Sequence, residues 1–390
     1  VPLPLAFRLA CLALTVALTA CGSSASRGNT SIIQAFVTAD ADPGPDAVDV
    51  PDALTPLDVA PAQDATPAGD ATQPLDTTKA PDVPTQPGLR DWTLYPAIVQ
   101  RPMPTDLWFL GDVHADAKRL GKLMNGAGLA SDPASPEQAQ WLAGPAVLVV
   151  TGDFIDKDTH GLEVIAYLRA LQASAQSQGG QVIVTLGNHE AEFLADPTVA
   201  KVSEFAGELT DAGLSPQLVA QGQEPIGQWL RGLPVAVKVG PWFACHAGDT
   251  HGASLDALDL ALRKDMDAHG FAAPVLIADG SLLEQKLDPP WWELGPQAPQ
   301  PTLASAVQAL GAQHVVQGHQ PGKVLFADGT KRKSGTVFQK FGLVFLIDAG
   351  MSKAVDDSLG ALLHVHHDGL GDHATVVTPD GVASALWDGK

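Results

Sequence analysis

Three short, unbroken apolar runs mark the start of a folded region: TDLWFLGD (105–112), AVLVVTGD (146–153) and QVIVTLGN (181–188). None alternates apolar with polar residues, which is the pattern of strands covered on both faces. Each ends at a polar turn. Between them lie helical periods, one over residues 116–124 and one from Leu162 to Ser177, where Leu162, Ile165, Ala166, Leu168 and Leu171 are apolar. Strand, helix, strand, helix, strand is the order of a layered α/β domain. Further apolar runs follow at PVAVKVG (234–240), WFACH (242–246), HVVQGH (314–319), LVFLIDAG (343–350), ALLHVHH (361–367) and ATVVT (374–378). They predict a second sheet, partly antiparallel. No repeat of whole structural units is visible.

Before residue 90 the pattern changes character. Residues 3–20, LPLAFRLACLALTVALTA, are apolar apart from Arg8 and end in small residues ahead of Cys21, the layout of a signal peptide. The run Leu18-Thr19-Ala20-Cys21 is similar to the bacterial lipobox, in which the cysteine is lipidated and becomes the new N-terminus. Gly22 follows, with no Asp to resemble the inner-membrane retention signal. An uncleaved anchor helix is the competing interpretation, since about 20 apolar residues span a bilayer. Beyond it, Asp recurs every six residues at 46, 52, 58, 64, 70, 76 and 82, with Pro between, and no aromatic residue separates Phe36 from Trp92. Such a segment cannot bury enough surface to offset its chain entropy. It lacks the glycine turns of calcium-binding repeats and predicts a disordered, self-repelling tether, reaching between ~45 Å as a coil and ~160 Å if extended. The expected organisation is a lipoprotein signal peptide over 1–20, a tether over 21–89 and a catalytic domain over 90–390. The expected location is the bacterial cell envelope, lipid-anchored at the periplasmic face or the outer membrane.

The formal net charge of −21 sharpens this picture, because residues 37–89 hold ten Asp against Lys79 alone while most of the remaining excess lies in the domain. A surface so acidic is poorly suited to neutralising nucleic-acid phosphates, so no nucleic-acid partner is expected. With Cys11 in the apolar leader and Cys21 the lipidation candidate, Cys245 stands alone and no intrachain disulfide is expected.

Chemistry-bearing residues sit just past the apolar runs, where α/β folds place their active sites. In order they are Gly-Asp112-Val-His114, Gly-Asp153-Phe-Ile-Asp156-Lys157, Gly-Asn188-His189-Glu190, His246-Ala-Gly and Gly-His319-Gln-Pro. Taken singly, an Asp in a turn is a cap and a lone His a core residue. Five in order, each after a predicted strand, point to a metal centre. Oxygen and imidazole donors together suit Mn, Fe or Zn rather than Ca.

The order D-x-H, G-D-x-x-D, G-N-H-E, H-x-G, G-H resembles the calcineurin-like metallophosphoesterases, over roughly residues 107–369. GDFIDKDTHGLEVIAYLRAL is similar to a segment of the PPP-type serine/threonine phosphatases, and WLRGLPVAVKVGPWFACHAG, DPPWWELG and VVQGHQP…LIDAGMSK to their Shewanella-like bacterial branch. The resemblance implies a four-layer α/β sandwich of two mixed sheets flanked by helices. It implies two divalent metal ions, with Asp112 and His114 on the first, Asn188, His246 and His319 on the second, and Asp153 bridging. His189 would be the general acid, held by Asp156, and Lys157 would take the place of a phosphate-gripping arginine. The implied function is hydrolysis of phosphomonoesters, on phosphoprotein or small phosphate esters, by a metal-bridging hydroxide. The alternatives are a nucleotide pyrophosphohydrolase or phosphodiesterase on the same scaffold, and a tethered module that binds metal or phosphate without turnover.

Three departures stand out. Lys157 is a point charge where the family has a bidentate arginine, and Asp158 follows it in place of Gly. Glu293, in Trp291-Trp292-Glu293, stands where the branch resembles Trp-Tyr-Arg, and an acid there would repel phosphate. Ala115 replaces the usual Gly after D-x-H. Elsewhere the plain interpretations are core for Trp291 and Trp292 and a solvated hairpin tip for Lys331-Arg332-Lys333. His364, His366 and His367 are expected to be surface histidines, although alternation puts His364 and His366 on one face, where a third metal site is the sharper alternative.

Overall fold

The computed structural model describes residues 90–389; the expected signal peptide, Cys21 and the tether over 21–89 lie outside the described residues. The strands are β1 (Ile98–Arg101), β2 (Asp106–Leu110), β3 (Val147–Val150), β4 (Gln181–Val184), β5 (Ala236–Val239), β6 (Trp242–Cys245) and β7 (His314–Gln317). They continue with β8 (Val324–Leu325), β9 (Lys331–Arg332), β10 (Phe338–Lys340), β11 (Val344–Leu346), β12 (Leu362–Asp368), β13 (Gly371–Val377) and β14 (Ala383–Asp388). Two six-stranded sheets result, in the orders β14-β13-β12-β2-β3-β4 and β1-β5-β6-β7-β11-β10, with β8 and β9 a separate hairpin.

The unbroken apolar runs have the predicted cause. Leu107, Phe109, Val147, Val149 and Ile183 of the first sheet share one cluster with Val237, Val239, Trp242, Ala244, Val316 and Phe345 of the second. Their neighbours Trp108, Leu110, Leu148, Val150 and Val184, with Phe243 and Cys245, belong to the helix-packed cluster instead. Along 107–110, 147–150 and 182–184 successive side chains alternate between the two clusters, which leaves no polar position in these runs. Each fully buried aliphatic or aromatic side chain contributes about 1.5–3 kcal/mol. The helices include α1 (Ala117–Gly126), capped by Asp116 accepting from Arg119 N, α2 (Gly161–Ser177) and α3 (Asn188–Ala195).

Strands β2, β3 and β4 are parallel in register, as the strand–helix alternation requires. β6, β7 and β11 are parallel as well, while β5–β6 and β10–β11 are antiparallel. One expectation is corrected. The last runs, ALLHVHH and ATVVT, do not join the second sheet: β12 pairs antiparallel with β2, and β13 and β14 extend the same sheet. The run at β2 is apolar on both faces but says nothing about which strand lies at its edge.

A second correction concerns Lys331-Arg332-Lys333. Lys331 and Lys333 are exposed, but Arg332 is only 1% exposed. Its guanidinium donates to the carbonyl oxygens of Thr336 (2.9 Å), Gln320 and Asp348. Buried carbonyls in loops need donors, and one planar five-donor group serves three of them. The expectation that Trp291 and Trp292 are core holds: Trp292 is wholly buried and Trp291 packs against the same cluster. Cys245 is a buried free thiol.

Candidate metal centre

All five motifs leave the C-terminal ends of parallel strands, three from the first sheet and two from the second. Asp112 and His114 follow β2, Asp153 and Asp156 follow β3, Asn188 and His189 open α3 after β4, His246 follows β6 and His319 follows β7. Turning each chain out of its strand demands unusual backbone. His114, Ala115, Asp153, Asp156, Lys157 and His319 all have positive φ, between 45° and 69°. Each such non-glycine residue costs on the order of 1 kcal/mol, and strain of this kind gathers at functional sites. Ala115, at φ 56°, shows why a glycine suits that position. Close approach fixes two glycines: a Cβ on Gly152 would lie 2.1 Å from Gly187 N, and one on Gly318 would lie 2.4 Å from Asp112 Oδ1.

The loops are laced together. Val113 and His114 donate their N–H groups to Asp153 O, and Ala115 donates to Phe154 O. Glu190, wholly buried, accepts four backbone N–H groups, from Gly187 (2.8 Å), Asp153 (2.8 Å), Phe154 (2.9 Å) and Ile155 (3.2 Å). Burial, and next Asp153, push its carboxyl up to about 7 against those hydrogen bonds. Glu190→Gln would set an amide NH₂ against N–H donors, and leaving buried donors unpaired costs about 2–3 kcal/mol. We expect its melting temperature to drop by ~5 °C or more, read by circular dichroism.

Two triads of donor atoms form, each with all atoms within 4.8 Å of one another: His114, Asp153 and His189, and Asp153, His246 and His319. Asp153 belongs to both. Asp112 Oδ2 lies 3.9 Å from His114 Nε2, and Asp153 Oδ2 lies 3.7 Å from it. The second cluster is the more telling. His246 Nδ1 donates to Thr151 O at 2.8 Å, so its Nε2 presents a lone pair when the ring is neutral. That nitrogen faces Asn188 Oδ1 (3.1 Å), His319 Nδ1 (3.0 Å) and Asp153 Oδ2 (3.4 Å). Such a convergence of electron pairs is stable only around positive charge. Asp112 adds to it: the residue is buried, and its Oδ2 takes no hydrogen bond among the described residues.

The electrostatics tell the same story. Burial works against a charged His246 ring, but Asp153 and Asp112 overcome it and raise the group to about 10. His319, by burial and the neighbouring His246, is lowered to about 3, and His114, mainly by burial, to about 4, so both are neutral donors. Asp153, although buried, is held well below the usual carboxylate range by His246 and His189. Burial, and then Asp348, push Asp112 well above it. Two neutral imidazoles, a third that Asp153 and Asp112 favour in its charged form, carboxylates and one amide oxygen make a donor set that fits divalent ions of the Mn, Fe or Zn kind.

His189 stands beside this pocket, its ring edge-on to His114 at 5.2 Å. Its Nδ1 donates to Asp156 Oδ2 at 3.2 Å, and Asp156 Oδ1 is in turn held by Phe205 N at 2.8 Å. Of the remaining candidates, Lys157 follows Asp156 in sequence and is exposed, with φ 68°. Glu293 is engaged elsewhere: its Oε2 accepts from Ala327 N at 2.9 Å. Three functional neighbours went unassigned in the sequence. Glu284 Oε1 accepts from Asn188 Nδ2 at 2.9 Å, turning the amide oxygen toward His246, and Lys201 Nζ holds Glu284 at 2.7 Å. Asp348, wholly buried, is raised by burial to about 6 and accepts from Gly350 N. Only Asp348 had a usable signal, as an Asp ending an apolar run like the others.

An α/β sandwich whose two sheets deliver carboxylates and imidazoles to one pocket defines a metal-dependent hydrolase. The chain belongs to the calcineurin-like phosphoesterase family, which matches residues 105–323. Shewanella-like protein phosphatase 2 of Arabidopsis thaliana is 29% identical over 87 residues, 22% of this chain and 21% of its own. Shewanella-like protein phosphatase 1 of Plasmodium berghei is 30% identical over 81 residues, 21% of each chain. The chain spans a quarter or less of the length of the curated relatives it matches. In fold it is similar to a cold-active protein-tyrosine phosphatase of a psychrophilic Shewanella species, with a TM-score of 0.58 and 20% identity over 74% of this chain and 82% of that one.

Proposed function

We propose that this chain is a dinuclear metal-dependent phosphomonoesterase, acting on phosphoprotein or small phosphate esters. The observation that carries the proposal is the convergence of His246 Nε2, His319 Nδ1, Asn188 Oδ1 and Asp153 Oδ2, next to the tethered His189–Asp156 pair. In this scheme Asp112 and His114 would hold one ion, Asn188, His246 and His319 would hold the other, and Asp153, which belongs to both donor groups, would serve both. Two divalent ions in such a site neutralise phosphoryl oxygens and make water nucleophilic near neutral pH.

The protein's own groups do the rest. Thr151 O fixes the His246 tautomer and Glu284 fixes the Asn188 amide, so each lone pair is aimed before substrate arrives. Asp156 holds the Nδ1 proton of His189, leaving Nε2 to deliver a proton to the departing alkoxide. Lys157, exposed and next to Asp156, would supply a single flexible ammonium for the phosphate. Support for a phosphoprotein substrate comes from the names of the Shewanella-like relatives. A Mn-, Fe- or Zn-supplemented screen of purified protein against phosphopeptides, nucleotides and p-nitrophenyl phosphate tests the proposal. Monoester turnover is the expected result. Preference for nucleotide anhydrides or diesters overturns it, and metal uptake without any turnover points instead to a binding module.

We also propose residues 1–20 as a signal peptide, Cys21 as a lipid-bearing residue and 21–89 as the tether that holds the 90–390 domain off a bacterial envelope membrane. Cys21→Ser is expected to move the protein from the membrane fraction to the soluble one with kcat/KM unchanged. A variant that stays membrane-bound would mean that Leu3–Ala20 is itself an anchor.

A further inference from the structure

The N-terminal end of β2 carries a second cluster, six residues and about 20 Å of extended chain from Asp112. In the register of the first sheet, Asp106 lies opposite His366, His366 opposite His373, and His373 opposite Asp388. Directly opposed residues share a face, and His364, two positions before His366, shares it as well. His364 Nε2 lies 2.9 Å and His366 Nδ1 3.0 Å from the same oxygen, Asp106 Oδ1. The three donor atoms lie within 4.8 Å of one another.

We propose that Asp106, His364 and His366 form a binding site for one divalent transition ion of the Zn, Ni or Cu type, apart from the catalytic centre. Two imidazoles and one carboxylate are a donor set for those ions and a poor one for Mg or Ca. The frame is set in advance. The ligands come from two hydrogen-bonded strands, and the His364 ring is stacked on Trp108 at 3.8 Å and 10°. His373 lies outside this donor group, with its Nδ1 paired with Asp388 Oδ1 at 2.8 Å and its Nε2 facing Asp368 Oδ1 at 3.5 Å. Three protein ligands therefore leave room for water, and the His366 side chain, 45% exposed, keeps the site open to incoming ions. The competing account is two N–H bonds onto one carboxylate oxygen, which needs no ion. An ion bound here would pin β12 to β2.

The test compares wild type with His366→Ala and Asp106→Asn, each loaded with Zn²⁺, desalted and counted by mass spectrometry. Wild type is expected to hold one more Zn²⁺ per chain than either variant, and Zn²⁺ should raise its melting temperature more than theirs. Asp106→Asn keeps the shape of the site and guards against a folding defect in His366→Ala, with far-UV circular dichroism as the check. Activity of the metal-loaded variants should match wild type, because none of these residues touches the catalytic pocket. Equal Zn²⁺ counts and equal Zn²⁺-induced shifts in all three proteins overturn the site and leave the two-hydrogen-bond account.

Discussion

Asp153→Asn is expected to lower turnover by about 10³-fold or more and to reduce bound metal from about two ions per chain to one or none. The substitution is nearly isosteric. The Asn Oδ1 can still accept the His189 N–H that Asp153 Oδ1 takes at 3.1 Å, so the turn should survive. What disappears is the negative charge shared by both donor triads. Metal ions supply several kcal/mol of transition-state stabilisation, and about 4 kcal/mol corresponds to ~10³-fold in rate. Metal analysis and steady-state kinetics on the same sample check both halves. Two retained ions with near-normal kcat would show that Asp153 is not the shared ligand.

His189→Ala separates proton transfer from metal binding. Its expected signature is a fall in kcat of about 10²–10⁴-fold on an alkyl phosphate such as phosphoserine, because a poor leaving group needs a proton in the transition state. On p-nitrophenyl phosphate, whose leaving group departs without help, the loss should be much smaller, and metal content should stay at the wild-type level. Asp156→Asn should show the same pattern more weakly, since it leaves the ring in place and removes only one of the carboxylates that raise it, Asp153 remaining. His189 shares a donor triad with His114 and Asp153, so the rival role is that of a ligand. Loss of metal together with equal losses on both substrates would establish that rival.

The strands that carry the site were legible because burial on both faces leaves an unbroken apolar run, and because each run stops at the residue that turns into the pocket. That pattern put Asp112, Asp153, Asn188, His246 and His319 just past strand ends, while their roles as ligands came only with the resemblance to the phosphoesterases. Glu190 could not, although it sits in a noted motif: its work is to collect four N–H groups from two turns, and a single carboxylate carries no sign of how many donors will surround it. Glu284 is 96 residues from the amide it orients, in a segment without regular periodicity. Arg332 looked solvated because a run of three cations is usually a wet surface; only tertiary structure decides that three carbonyls lie within its reach. The placement of β12 was hidden for a similar reason, since an apolar run records burial but not the identity of its neighbour.

That placement has a consequence for how the chain is made. β2 holds Asp112 at its tip, yet one of its two edges is matched only by residues 362–366, about 250 positions downstream. Wherever the chain emerges N-terminus first, from a ribosome or a translocation pore, β2, β3 and β4 come early and can pair at once. The row from Asp106 to Leu110 must then wait, with half its backbone groups unmatched, until nearly the whole domain has emerged. Closing a loop of that span is slow, and an open apolar edge is the kind of surface to which other chains add. The nascent domain thus has a window of vulnerability that ends only with the arrival of β12, and its need for a holdase or for swift completion is set by where one strand was placed in the gene.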